Sequence, residues 1–233
     1  MSKPNILVLM LEHGHYGTIC PDSPVDLPNM KSISDEGAWF ESMYTVAGHS
    51  CPARATFFTS VYPSLHGIYN NCINPAAIHT RIRDGVKHWS ASLKQLGYEL
   101  RLTGKWHINA EEGPETQGWQ GFGNVNALHM TGRGTFEPGA AEKAAARVKG
   151  YERLVNAVVA KRNGWPDALL SGAHTGDPKQ TREYQLGQDA IEQIKTLGKG
   201  NAPWCIYCGW GAVHDPYTPP VSYAERFPAN KVE

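Results

Sequence analysis

Asn5-Ile6-Leu7-Val8-Leu9-Met10-Leu11 is an apolar run after its first residue, and Glu12-His13-Gly14-His15 ends it at once. Consecutive apolar residues bounded by polar ones predict a strand buried on both faces, as inside a parallel sheet. Ligand-type side chains at the carboxyl end of such a strand stand where open α/β sheets place their chemistry. Glu supplies a hard oxygen and His a nitrogen, so Glu12 and His13 are candidates to hold a divalent cation; the other reading is a solvated loop. Working outward, the pattern recurs. Tyr98–Thr103 predicts a short strand that runs into Gly104-Lys105-Trp106-His107, and Trp204–Trp210 predicts another, followed by Val213-His214-Asp215-Pro216-Tyr217. Ala38–Val46 reads as a strand leading into His49-Ser50-Cys51-Pro52-Ala53-Arg54-Ala55-Thr56.

That last stretch opens a helix. Pro52 sits in the first turn, where its missing N–H costs nothing, and Ala53–Ser60 continues until Tyr62-Pro63. A helix N-terminus receives anions, and Arg54 adds a permanently charged fork suited to sulfate or phosphate oxygens. Ser50 is then placed as a nucleophile, or else as an ordinary N-cap beside a surface arginine. Lys105 offers a point charge to an anionic oxygen, and His107 moves protons near neutral pH; a structural lysine and a capping histidine are the alternatives.

Helices fill the intervals. Asn29–Glu36 reads as a short helix closed by Gly37, Val86–Leu96 as one stopped by Gly97, and Thr181–Leu197 as an amphipathic one with Tyr184, Leu186, Ala190, Ile191 and Ile194 on its apolar side. Tyr62–Gly67 reads as a turn, Ala140–Arg162 as an Ala-rich helix, and Gly164–Pro178 as a loop whose lone His174 belongs to the surface. Strands alternating with helices imply an α/β fold with a mostly parallel central sheet and right-handed crossovers. Glu12/His13, Ser50/Arg54, Lys105/His107 and His214 would then gather along one sheet edge as a single anion site.

The 233 residues suffice for one or two domains. Zero net charge without a basic stripe argues against nucleic acid as partner, and no apolar run has the length of a membrane span. Without a signal-peptide pattern the expected compartment is the cytoplasm. Five scattered cysteines make no disulfide framework, and Cys205 and Cys208, three apart on a strand, face opposite ways.

Ser50-Cys51-Pro52-Ala53-Arg54 resembles the sulfatase signature of Cys or Ser, any residue, Pro, any residue, Arg, in the alkaline phosphatase superfamily. Leu65-His66-Gly67, Gly104-Lys105-Trp106-His107 and His214-Asp215-Pro216-Tyr217 are similar to further blocks of that family, in the same order. The resemblance runs from Asn5 onward and is weakest between about Gly123 and Pro178, so 1–233 reads as the N-terminal part of a sulfatase-like catalytic domain with a variable insert at about 124–178. It implies an α/β/α sandwich and a hydrolase that cleaves sulfate esters. Pro52 and Arg54 set the register that makes Ser50 the nucleophile, and the serine form of the motif makes Ser50 a candidate for conversion to formylglycine by a maturation enzyme. By resemblance Arg54 steadies Ser50, Lys105 and His214 hold sulfate oxygens, His107 touches the nucleophile, and Glu12, His13 and Ser50 belong to a metal site for Ca2+, with Mn2+, Mg2+ or Zn2+ as alternatives. The partner is a small anionic ester.

The sequence departs from the pattern in three places. Glu12-His13 stands where the family has an Asp pair or Asp-Gln, Ala53 stands for the common Ser, and the family's later metal ligands have no counterpart before Glu233. The expectation is a truncated or split sulfatase-like chain, impaired alone and completed by a missing C-terminal half or a homo-oligomer. The competing readings are a phosphodiesterase, phosphonate monoester hydrolase or phosphatase on the same fold, and a non-catalytic anion-binding fragment.

Overall fold

The computed structural model describes residues 3–72, 76–109, 112–123, 154–161, 168–211, 214 and 216–227. Their strands, in chain order, are β1 (Ile6–Met10), β2 (Glu99–Gly104), β3 (Gln120–Gly121), β4 (Leu154–Ala160), β5 (Ala168–His174) and β6 (Trp204–Gly209). Four of them make one sheet in the order β1-β6-β2-β3, every pairing parallel. The register brings Met10 opposite Gly209 and Gly209 opposite Gly104, so three strands finish level. The residues that follow each strand therefore emerge along one edge, as the sequence pattern predicts.

The helices are α1 (Tyr16–Ile19), α2 (Pro28–Glu36), α3 (Ser50–Thr59), α4 (Pro63–His66), α5 (Trp89–Gln95) and α6 (Arg182–Leu197), before a last short turn of helix at Val221–Ala224. All six residues of β6 are buried, and they alternate between two cores. Cys205 and Tyr207 pack with Cys51, Ala55 and Phe58 of α3 and with Leu100 and Leu102 of β2. On the opposite face Cys208 packs with Leu186 and Ala190 of α6, and Trp204 and Ile206 with its Leu197. Cys205 and Cys208 thus lie in different cores, as strand alternation requires. Gly104 closes β2 at φ +80°, and a Cβ there would collide with the Gly209 carbonyl oxygen. Only glycine allows that approach and the turn that sends Lys105 into the edge.

Several expectations need correction. Among the described residues β1 is the sheet's outer strand and is covered on one face only. Ile6, Val8 and Met10 lean on the α3 core, while Leu7 and Leu9 keep 42% and 49% of their surface exposed. An apolar run fixes a strand but not how many neighbours it has. Ala38–Val46 forms no strand, and Phe40, Met43 and Tyr44 stand exposed there. Within the predicted helix at 140–162 the described end is strand β4, whose Val155, Val158 and Val159 suit a pleated surface, and it pairs antiparallel with β5 inside the predicted 164–178 loop. β5 also bridges to Tyr217 and Pro220. The rest of 140–162, most of the proposed insert at 124–178, and Asp215 lie outside the described residues. The helix predicted over Val86–Leu96 is shorter at both ends, the turn after Tyr62 is the single-turn helix α4, and Tyr184 and Ile191 of α6 face outward.

Candidate active site

Ser50 is the first residue of α3, and the N-cap position belongs to His49, which makes no side-chain cap. The reading of Ser50 as an N-cap is therefore set aside. Its hydroxyl instead accepts from Arg54 Nε at 3.1 Å and lies 3.1 Å from His107 Nδ1. Four residues along one helix bring Ser50 and Arg54 onto one face, and the turn after β2 brings His107 to them.

Arg54 is 4% exposed and makes four hydrogen bonds. One terminal nitrogen donates to the Lys105 carbonyl at 2.9 Å and to the Tyr207 hydroxyl at 2.7 Å; the other pairs with a Glu12 carboxylate oxygen. Lys105 Nζ holds the second Glu12 oxygen at 2.7 Å. Two buried cations thus share one buried carboxylate, leaving a residual positive charge at the mouth of α3. His13 Nε2 lies 3.7 Å from Glu12 Oε1, and its ring stacks on His214 with centroids 4.7 Å apart. Every residue predicted for the site is therefore gathered at one place. His13 (φ +52°) and His107 (φ +53°) both hold left-handed backbone conformations, which non-glycine residues rarely adopt and which cluster at functional sites.

Protonation follows from these contacts. Burial alone would raise the Glu12 carboxyl, but Arg54 and Lys105 outweigh it and hold it at about 2, so it is ionised at neutral pH. Burial lowers Lys105 against the opposing pull of Glu12. Burial, with Lys105 and Arg54 close by, brings His107 down to about 4. His107 is thus neutral at pH 7 and able to accept a proton from Ser50.

The fit to a metal is poor among the described residues. A hard dication takes six or more oxygen ligands, several of them carboxylates. Glu12 is the carboxylate here, and both its oxygens already face cations. Among the described residues no three His, Cys, Asp or Glu side chains are grouped to hold an ion. Glu12, His13 and Ser50 are neighbours rather than a cage.

Tyr207 is the residue that sequence reasoning passed over. It reads as one more apolar residue of β6, yet its hydroxyl fixes Arg54 and lies 3.2 Å from both the Lys105 carbonyl and Met10 Sδ. A tyrosine in a fully buried strand needs a partner for its hydroxyl, which is the available signal.

The family model described as Sulfatase matches residues 4–232. The chain is 22% identical to the uncharacterized sulfatase YidJ of Escherichia coli (strain K12) over 97% of its own length and 42% of that protein's. It is 27% identical to the N-acetylgalactosamine-6-sulfatase of Canis lupus familiaris over 91% of its length and 40% of the relative's. Among solved structures, the phosphonate monoester hydrolase of Agrobacterium radiobacter shares the fold with a TM-score of 0.65 at 19% identity, over 99% of this chain and 45% of that one. The chain spans about two fifths of the length of these curated relatives. No helix among the described residues is long and apolar enough to cross a membrane.

Proposed function

The chain belongs to the sulfatase family and has its fold, a mostly parallel sheet flanked by helices, and on that footing we propose that its site handles sulfate esters through Ser50. The observation that carries this is the placement of Ser50 Oγ between Arg54 Nε and His107 Nδ1 at a helix N-terminus. The residual charge of Arg54 and Lys105 against Glu12 favours a tetrahedral anion there. The Ser50 hydroxyl, or a hydroxyl of the hydrated formylglycine made from it, attacks sulfur as the S–O bond to the alcohol breaks; the neutral His107 takes the nucleophile's proton, Lys105 and His214 hold the ester's oxygens, and the alcohol leaves as the other product. A small anionic ester is the substrate.

A divalent cation, with Ca2+ the first candidate, would polarise the sulfate, but the described residues supply only part of its ligands. We propose that the remaining carboxylates come from polypeptide outside the described residues, and that the 233 residues alone bind anions better than they turn them over. The shared fold of the phosphonate monoester hydrolase supports phosphate or phosphonate esters as the second reading, with Ser50 unmodified. Paired aryl sulfate and aryl phosphate substrates decide between them. Sulfate turnover lost on Ser50→Ala supports the first, phosphate turnover lost in the same way the second, and binding of both anions without turnover the reading of an impaired chain.

A further inference from the structure

Outside the reacting groups, the most organised cluster of sulfur side chains is a pair of cysteines behind Ser50, whose mutual contact and burial push the Cys51 thiol up. Cys51 and Cys72 are 0% and 1% exposed, and their Sγ atoms lie 3.3 Å apart. The Cys72 amide donates to Cys51 Sγ at 3.2 Å, and the Cys51 amide donates to the Asn71 side-chain oxygen at 3.1 Å. Three contacts therefore press the 71–72 segment onto the first turn of α3. A disulfide needs its sulfurs about 2 Å apart, so closing the pair takes about 1.3 Å of movement, within reach of side-chain rotation. Cys205 belongs to the same core as the pair, Cys208 lies on the other face of β6, and Cys20 ends α1.

We propose that Cys51 and Cys72 form a dithiol oxidation site whose disulfide staples the nucleophile-bearing turn of α3 to the 71–72 segment. The oxidant is a small peroxide, because the burial of both sulfurs keeps bulky reagents out. One sulfur attacks a peroxide oxygen and breaks the O–O bond; the departing hydroxide takes the thiol proton as water, leaving a sulfenic acid. The second sulfur then attacks the sulfenic sulfur, forming S–S and expelling the sulfenic oxygen as a second water with the remaining proton. Two thiols are oxidised by two electrons and one hydrogen peroxide becomes two waters. The inference is independent of the reaction assigned to Ser50.

The test treats the folded, reduced chain with hydrogen peroxide, quenches with catalase, alkylates in denaturant and maps the peptides by mass spectrometry. The expected result is a Cys51–Cys72 linked peptide, a mass loss of two hydrogens on that peptide pair, and alkylation confined to Cys20, Cys205 and Cys208. Peroxide applied to the unfolded chain should scramble the linkage. Cys72→Ser, nearly isosteric, should abolish the linked peptide and leave Cys51 as a thiol or a dimedone-trappable sulfenic acid. Full alkylation of both cysteines after peroxide, Cys51 driven to sulfinic acid without a link, or an equal yield of some other pair would each overturn the proposal.

Discussion

The middle of the sheet and its β1 edge both end in the candidate site, but they support it differently. At the centre, β6 is packed on both faces and β2 on the α3 face, and Arg54, Lys105, His107 and Tyr207 are held by α3 on one side and by the level strand ends on the other. At the edge, β1 is packed on one face, its Leu7 and Leu9 are half open, and it delivers Glu12 and His13. Glu12 is buried only because it reaches inward to the two cations of the centre. The anion-binding half of the site is thus over-determined by the fold, whereas the carboxylate half borrows its order from the anion-binding half. Among the described residues the β1 edge is unpaired and its outer face apolar, which is where further polypeptide would add.

The largest effect expected from breaking this comparison is that of Arg54→Ala. It leaves Glu12 buried with one cation and frees Ser50, so urea unfolding should show a loss of about 3–5 kcal/mol. Affinity for sulfate should vanish with it.

Acid unfolding should separate the two regions. Burial holds His88 and His107 at about 4 instead of 6.5, so the unfolded chain takes up protons that the folded one refuses. Their contribution is intact above pH 6.5 and is lost as pH falls towards 4. Glu12, held at about 2 instead of 4.5, contributes above 4.5 and loses that contribution only as pH falls further towards 2. Stability measured by denaturant titration should therefore fall in two windows, and His107→Gln should shrink the first, leaving the share of His88, while the second stays unchanged.

Tyr207→Phe is a smaller test of the centre. Arg54 keeps the Lys105 carbonyl, so the loss should be about 1–2 kcal/mol, with weaker anion binding at unchanged secondary structure by circular dichroism. Leu9→Ser at the open edge should cost less than about 1 kcal/mol. A larger loss would mean that β1's outer face is covered in solution, and a shift in oligomeric state by light scattering would identify a second copy as the cover.

Much of this was legible in the chain because parallel strands convert a one-dimensional pattern into a place. An apolar run ending in Glu12, another ending in Lys105 and a third leading to His214 must deliver those groups to one edge, and the helix opening at Ser50 faces it. What was not legible depends on neighbours. Leu7 and Leu9 carry the same sequence signal as buried strand residues, and only the sheet order shows them open. Leu154–Ala160 adjoins an Ala-rich stretch, and its pairing with Ala168–His174 overrides the helical reading. A buried-strand tyrosine signals that the Tyr207 hydroxyl needs a partner, but neither that partner nor the Cys51–Cys72 contact can be named from sequence, because the partners lie far along the chain.

Calcium titration of the purified chain by calorimetry tests the uneven site most directly. With Glu12 claimed by Arg54 and Lys105, the chain should bind sulfate yet show no calcium binding at millimolar concentrations. Stoichiometric calcium binding, abolished by Glu12→Ala, would contradict it, because it would show that these residues build a complete cation site without further polypeptide.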